Sequence, residues 1–104
     1  MADTPPLKII QGNALNEQQK KDLLHRLARV EGQLRGVQKL IAKAVEPADC
    51  DGIAQQMSAA RKALDRSFVT LLTSSMVTHA EKASSTEDAV ARAKHLATFL
   101  DKYV

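Results

Sequence analysis

The chain has 104 residues, a formal charge of +3 and three aromatics, Phe68, Phe99 and Tyr103. That length holds one domain, and no stretch approaches the roughly 18–20 apolar residues that span a bilayer. The first ten residues, MADTPPLKII, lack the parts of a signal peptide, and one cysteine makes no internal disulfide, so a cytoplasmic protein with no membrane partner is expected.

The charge is unevenly placed. Residues 1–44 carry eight basic and four acidic side chains, and residues 45–104 carry seven and eight. A basic first half hints at a polyanionic partner.

Residues 1–15 read as a flexible N-terminal arm, broken by Pro5-Pro6, Gly12 and Asn13, with residues 16–104 forming the helical domain. The first helix begins at Asn16, a good N-cap, with Glu17 favourable to the helix dipole. Its apolar positions are Leu23, Leu27, Val30, Leu34, Val37 and Ile41, a heptad seam that Glu46-Pro47 ends. The second helix starts at Asp49 or Cys50. Its stripe is Ile53, Met57, Ala60, Leu64, Phe68 or Ser67, Leu71, Ser75 and His79. The pattern lapses around Lys82–Ser85. A third helix then opens on a Ser84-x-x-Glu87 capping box and carries Val90, Ala93, Leu96 or Ala97, Leu100, and Tyr103 or Val104. There is no strand signal.

Two helices of about 30 residues are each roughly 45 Å long and leave apolar stripes that one thin-cored protomer does not cover. The expected fold is all-α. Three-helix protomers pair into an antiparallel four-helix-bundle dimer.

Cys50, the only cysteine, opens the second helix, while Ser75 and His79 lie 25 and 29 positions further on. On one straight helix Cys50 and His79 are about 43 Å apart. If the helix pairs antiparallel with its own copy, Cys50 meets His79 when the crossing falls between Leu64 and Asp65. It meets Ser75 when the crossing falls near Lys62–Ala63. Each arrangement builds two identical sites, with Cys50 from one protomer and Ser75 and His79 from the other. Ser75 and His79 are an i, i+4 pair on one helical face, a spacing by which helices hold metals. A buried apolar Cys and a His that merely complements a helix C-terminus are the plainer readings. His95, beside the stripe of the third helix, could hydrogen-bond a ligand from outside it. His25 is a surface or interface residue.

Several motifs occur in order. Arg26-Leu27-Ala28-Arg29-Val30-Glu31-Gly32-Gln33-Leu34-Arg35-Gly36 resembles the R-x-x-R/K-x-x-G-Q-x-x-G signature of the CsoR/RcnR/FrmR repressors. Glu46-Pro47-Ala48-Asp49-Cys50 resembles that family's loop into its second helix, and Gln55-Gln56-Met57-Ser58-Ala59-Ala60-Arg61 its Q-Q-I-x-A-x-R segment. The likeness runs from about Asn16 to Val104. It implies an all-helical homotetramer, a dimer of dimers, that represses transcription by binding double-stranded operator DNA and lets go when an effector reaches the cysteine. Members sense Cu(I), Ni(II)/Co(II), formaldehyde or reactive sulfur.

Carried onto this chain, the resemblance puts the sensing cysteine at Cys50 and its cross-protomer partners at Ser75 and His79. The basic residues of the DNA face fall at Arg26, Arg29 and Arg66, with specificity leaning on DNA shape. Ser75 stands where copper and nickel/cobalt sensors carry a good ligand. No His or Cys lies near Ala14–Asn16, where nickel and cobalt sensors draw an N-terminal one, and the arm begins Met1-Ala2 where formaldehyde sensors present a proline amine. Cu(I), which tolerates low coordination, is the metal expected at Cys50 and His79. Covalent modification of Cys50 by formaldehyde or reactive sulfur needs no second ligand and no cofactor. A helical adaptor with an incidental cysteine is the other alternative. A thiol enzyme is not expected, because a general base near Cys50, a resolving cysteine and a substrate-pocket motif are all missing.

Overall fold

The computed structural model describes residues 14–103. The expected arm therefore lies almost wholly outside the described residues, as does Val104. The described residues form three helices and no strand: α1 Glu17–Lys43, α2 Asp49–Lys82 and α3 Thr86–Tyr103. None is long and apolar enough to cross a membrane.

The chain divides into two compact units. One is Glu17–Leu71, made of α1 and the first part of α2; the other is built from Leu72 onward, by the rest of α2 and α3.

In the first unit the buried side chains are Val30 and Val37 of α1 with Ala60 and Ser67 of α2. Val30 and Val37 are one heptad apart. Between the two apolar neighbours Phe68 and Ser67, it is Ser67 that takes the buried seat. Its hydroxyl donates to the Ala63 carbonyl at 3.0 Å, which satisfies the polar group. The other half of the α1 seam is open to solvent, with Leu27 37%, Leu34 49% and Ile41 54% exposed. Met57 and Leu64 of α2 are about half exposed as well.

The turn into α2 is held by one carboxylate. Asp49 Oδ2 accepts the backbone N–H of Val45 at 2.9 Å and of Glu46 at 3.0 Å. These bonds, Glu46 first, hold its pKa below the ordinary carboxylate value.

In the second unit Leu72, Thr78 and Arg92 are buried. The cap of α3 corrects the sequence reading by one residue. Ser85 Oγ, not Ser84, accepts the helical N–H, that of Asp88, at 3.0 Å. Asp88 Oδ2 reaches back to the Ser84 N–H at 3.0 Å. Both Ser84-x-x-Glu87 and Ser85-x-x-Asp88 satisfy the motif. Asp88 prevails because the same carboxylate also accepts from Arg92 at 2.9 Å. Ser85→Ala is therefore expected to destabilise the protein by about 1 kcal/mol. Ser84→Ala, which removes only a 3.4 Å hydroxyl contact, should cost clearly less. Urea unfolding midpoints of the two variants check the order.

Candidate functional site

Cys50 is the second residue of α2, its N–H bonded to the Pro47 carbonyl at 3.1 Å. The thiol is free and exposed. The Asp49 carboxylate beside it is turned back onto the Val45–Glu46 backbone, which keeps it from covering the sulfur. A small, reachable thiol at a helix start can bind a soft ion or meet an electrophile.

Ser75 and His79, one turn apart near the end of α2, share the lining of a cavity of about 400 Å3 with His95, Leu96, Phe99 and Tyr103 of α3. The imidazoles of His79 and His95 have ring centroids 6.3 Å apart and planes tilted by 60°. His95 Nδ1 is buried and has no hydrogen-bond partner among the described residues. The i, i+4 pair read from the sequence and the histidine assigned beside it thus line one cavity.

His79 has a partner that the sequence reading did not single out. Arg92 Nη1 lies 2.9 Å from His79 Nδ1. A guanidinium has only donors, so Nδ1 is the acceptor, and the neutral ring carries its hydrogen on Nε2. Burial lowers the His79 pKa, and the charges of Arg92 and His95 lower it further against an opposing pull from Asp88. The ring is therefore neutral at pH 7. Arg92 is only 3% exposed, and its Nε donates to Asp88. The Asp88 pKa is lowered, first by the Ser84 N–H and then by Arg92. The result is a continuous line from the α3 cap through Asp88 and Arg92 to His79. Asp88 and Arg92 at i, i+4 were a readable pair. The contact to His79, 13 positions away and on another helix, had no local signal.

In kind, a thiolate and a neutral imidazole suit a soft or borderline metal, and the Ser75 hydroxyl does not. In number, one chain falls short. No three His, Cys, Asp or Glu side chains among the described residues are grouped to hold an ion.

In the first unit, Arg26 and Arg29 of α1 and Arg66 of α2 line one cavity of about 260 Å3 with Gln33, Ala63 and Ser67. The three arginines picked out from the sequence thus share one surface. Arg26 Nε also donates to Asp22 at 3.1 Å across one turn of α1. Gln33 Oε1 is buried without a hydrogen-bond partner among the described residues. It is an acceptor set among three cation-bearing side chains. Guanidinium groups gathered in this way match phosphate oxygens. His25 is exposed, as a surface residue should be.

A family model described as metal-sensitive transcriptional repressor matches residues 19–102, a span that includes both the Cys50–His79 helix and the arginine cluster. No curated protein and no solved structure matches the chain.

Proposed function

The chain belongs to the metal-sensitive transcriptional repressors, and we propose that it binds operator DNA through Arg26, Arg29 and Arg66 and is released when Cys50 takes up Cu(I). On this reading Cys50 of one protomer and the partner's His79 are the ligands, with Ser75 and His95 around them. Residues 16–104 act together as DNA-binding and sensor domain in a cytoplasmic homotetramer, a dimer of dimers. The role is binding rather than catalysis.

The observation that carries the proposal is the position of the donors. The only thiol is exposed at the start of α2, and the neutral His79 ring sits near the end of the same unbroken helix. An antiparallel copy of α2 is the arrangement that serves both ends at once.

Self-association has its own support. Leu34, Ile41, Met57 and Leu64, all read as seam positions, are about half exposed or more in the protomer, and a cover for them removes that apolar area from water. A Cβ added at Gly32 or Gly36 meets nothing within 4 Å, so contacts within the chain do not explain these two motif glycines.

A bound ion would supply Lewis acidity and a bridge between chains. The protein supplies the thiolate, an imidazole lone pair and a dry wall of Phe99 and Leu96. Release from DNA requires that the effector favour the DNA-incompetent arrangement by differential affinity.

Covalent modification of Cys50 is the second reading. It is favoured by Ser75, a poor ligand, and by the engagement of His79 with Arg92. One experiment separates the two. Reduced, metal-free protein is titrated with Cu(I), Zn(II) and Ni(II) against chelators, with an operator gel shift in parallel. Intact mass is measured after formaldehyde or polysulfide. Competitive Cu(I) binding that abolishes the shift supports the metal reading. Release only under conditions that add mass to the protein overturns it in favour of the covalent one.

A further inference from the structure

We propose that Arg92 is a specificity-determining residue of the sensor site, because its guanidinium and a metal ion compete for one lone pair on His79. The inference rests on the reading above that His79 is a ligand.

A neutral imidazole has a single in-plane lone pair. In this chain it lies on Nδ1, and Arg92 Nη1 donates to it at 2.9 Å. A metal bound at Nδ1 displaces Arg92 directly. A metal bound at Nε2 moves the ring proton to Nδ1, which turns the acceptor into a second donor and breaks the same bond. Ligation of His79 by either nitrogen and the Arg92–His79 hydrogen bond therefore exclude each other.

Arg92 is also not a side chain that swings away freely. It is 3% exposed and anchored to Asp88 at 2.9 Å, and Asp88 is anchored in turn to the cap of α3. Displacement leaves a buried cation with one partner fewer, or turns it out of its seat. The approaching metal ion meets the guanidinium charge as well.

The consequence is selective. An ion whose coordination shell depends on nitrogen donors must break this bond. Zn(II), which takes four ligands, is such an ion. Cu(I), content with few and soft ligands, depends on His79 least. Arg92 thus biases the site against divalent ions and toward chemistry centred on the thiolate. It also ties any ligation of His79 to a rearrangement of the α3 cap.

The test uses the full-length, reduced protein with Zn(II) as probe. Arg92→Met keeps the length and removes the charge and the donors. It is expected to tighten Zn(II) binding on the order of tenfold in a chelator competition, the equivalent of one charge-assisted hydrogen bond. The gain should vanish when His79→Ala is added. Zn(II) affinity unchanged by Arg92→Met, while His79→Ala weakens it in the parent, overturns the role of Arg92 and leaves His79 a ligand. Zn(II) affinity indifferent to His79→Ala overturns the ligand assignment itself and the inference with it.

A measurement on the parent protein guards against a variant that fails to fold. Nitrogen–proton correlation NMR of the metal-free protein should find His79 protonated at Nε2, with slowly exchanging Arg92 side-chain protons that lose protection on Zn(II) saturation. An Nδ1-protonated His79 in the metal-free protein overturns the proposal.

Discussion

Cys50→Ser should bind operator DNA as the parent does and no longer respond to the effector. The side chain is exposed, and its thiol is free. Exposed substitutions away from special features change stability by no more than about 0.5 kcal/mol, which is about twofold in an equilibrium. The arginine cluster lies on other turns of α1 and α2, so the DNA face is untouched. The loss of response should be complete by contrast. A serine hydroxyl is a hard, protonated oxygen at pH 7 and replaces a thiolate poorly at any soft ion. The fall in Cu(I) affinity should exceed the 10–100-fold typical of losing an outer-shell partner. The same variant loses the nucleophile for formaldehyde or polysulfide, so it silences both readings of the effector. Gel shifts of parent and variant, with and without Cu(I), are the measurement. Release of Cys50→Ser by the effector at parental concentrations removes Cys50 from the mechanism. His79→Ala then separates the two readings, because a covalent sensor keeps its response without the imidazole and a Cys–His metal site does not.

How much of this was legible before the structure depended on how local each signal is. Asn16-Glu17 and Asp49 mark the starts of α1 and α2 correctly, because a cap is decided by the few residues that touch it. The cap of α3 shifted by one residue for a nonlocal reason, since Asp88 serves Arg92 as well as the helix end. Heptad spacing identified the apolar face of α1 but not what covers it. Val30 and Val37 are buried against the protomer's own α2 unit, whereas Leu34 and Ile41, on the same seam, are half exposed. Periodicity reports a face, and a face can serve two neighbours. The joint placement of Ser75 and His79 followed from i, i+4 geometry alone. The Arg92–His79 bond did not. It crosses between helices, and a lone arginine beside an apolar stripe reads as ordinary surface charge until its 3% exposure is known.

Removal of the arginine cluster is the other large effect. If Arg26, Arg29 and Arg66 contact phosphates, each single Ala substitution should flatten the plot of log affinity against log salt by about one unit, and the triple variant by about three. The weakening should be similar on operator and non-operator DNA, because phosphate contacts carry no base identity. Arg26 is the cleanest single test. Its ion pair with Asp22 is half exposed and spans one helical turn, a class worth roughly 0.3–0.5 kcal/mol, so folding should survive its loss. Substitution to Lys at all three positions then separates charge from shape. Lysine keeps the cations and hence most of the salt slope, but it lacks the planar fork that grips two phosphate oxygens. Affinity that drops while the slope holds means that guanidinium geometry, set in the groove around the Gln33 acceptor, contributes beyond net charge. A triple Ala variant whose slope matches the parent at every salt concentration takes these three arginines off the DNA face altogether.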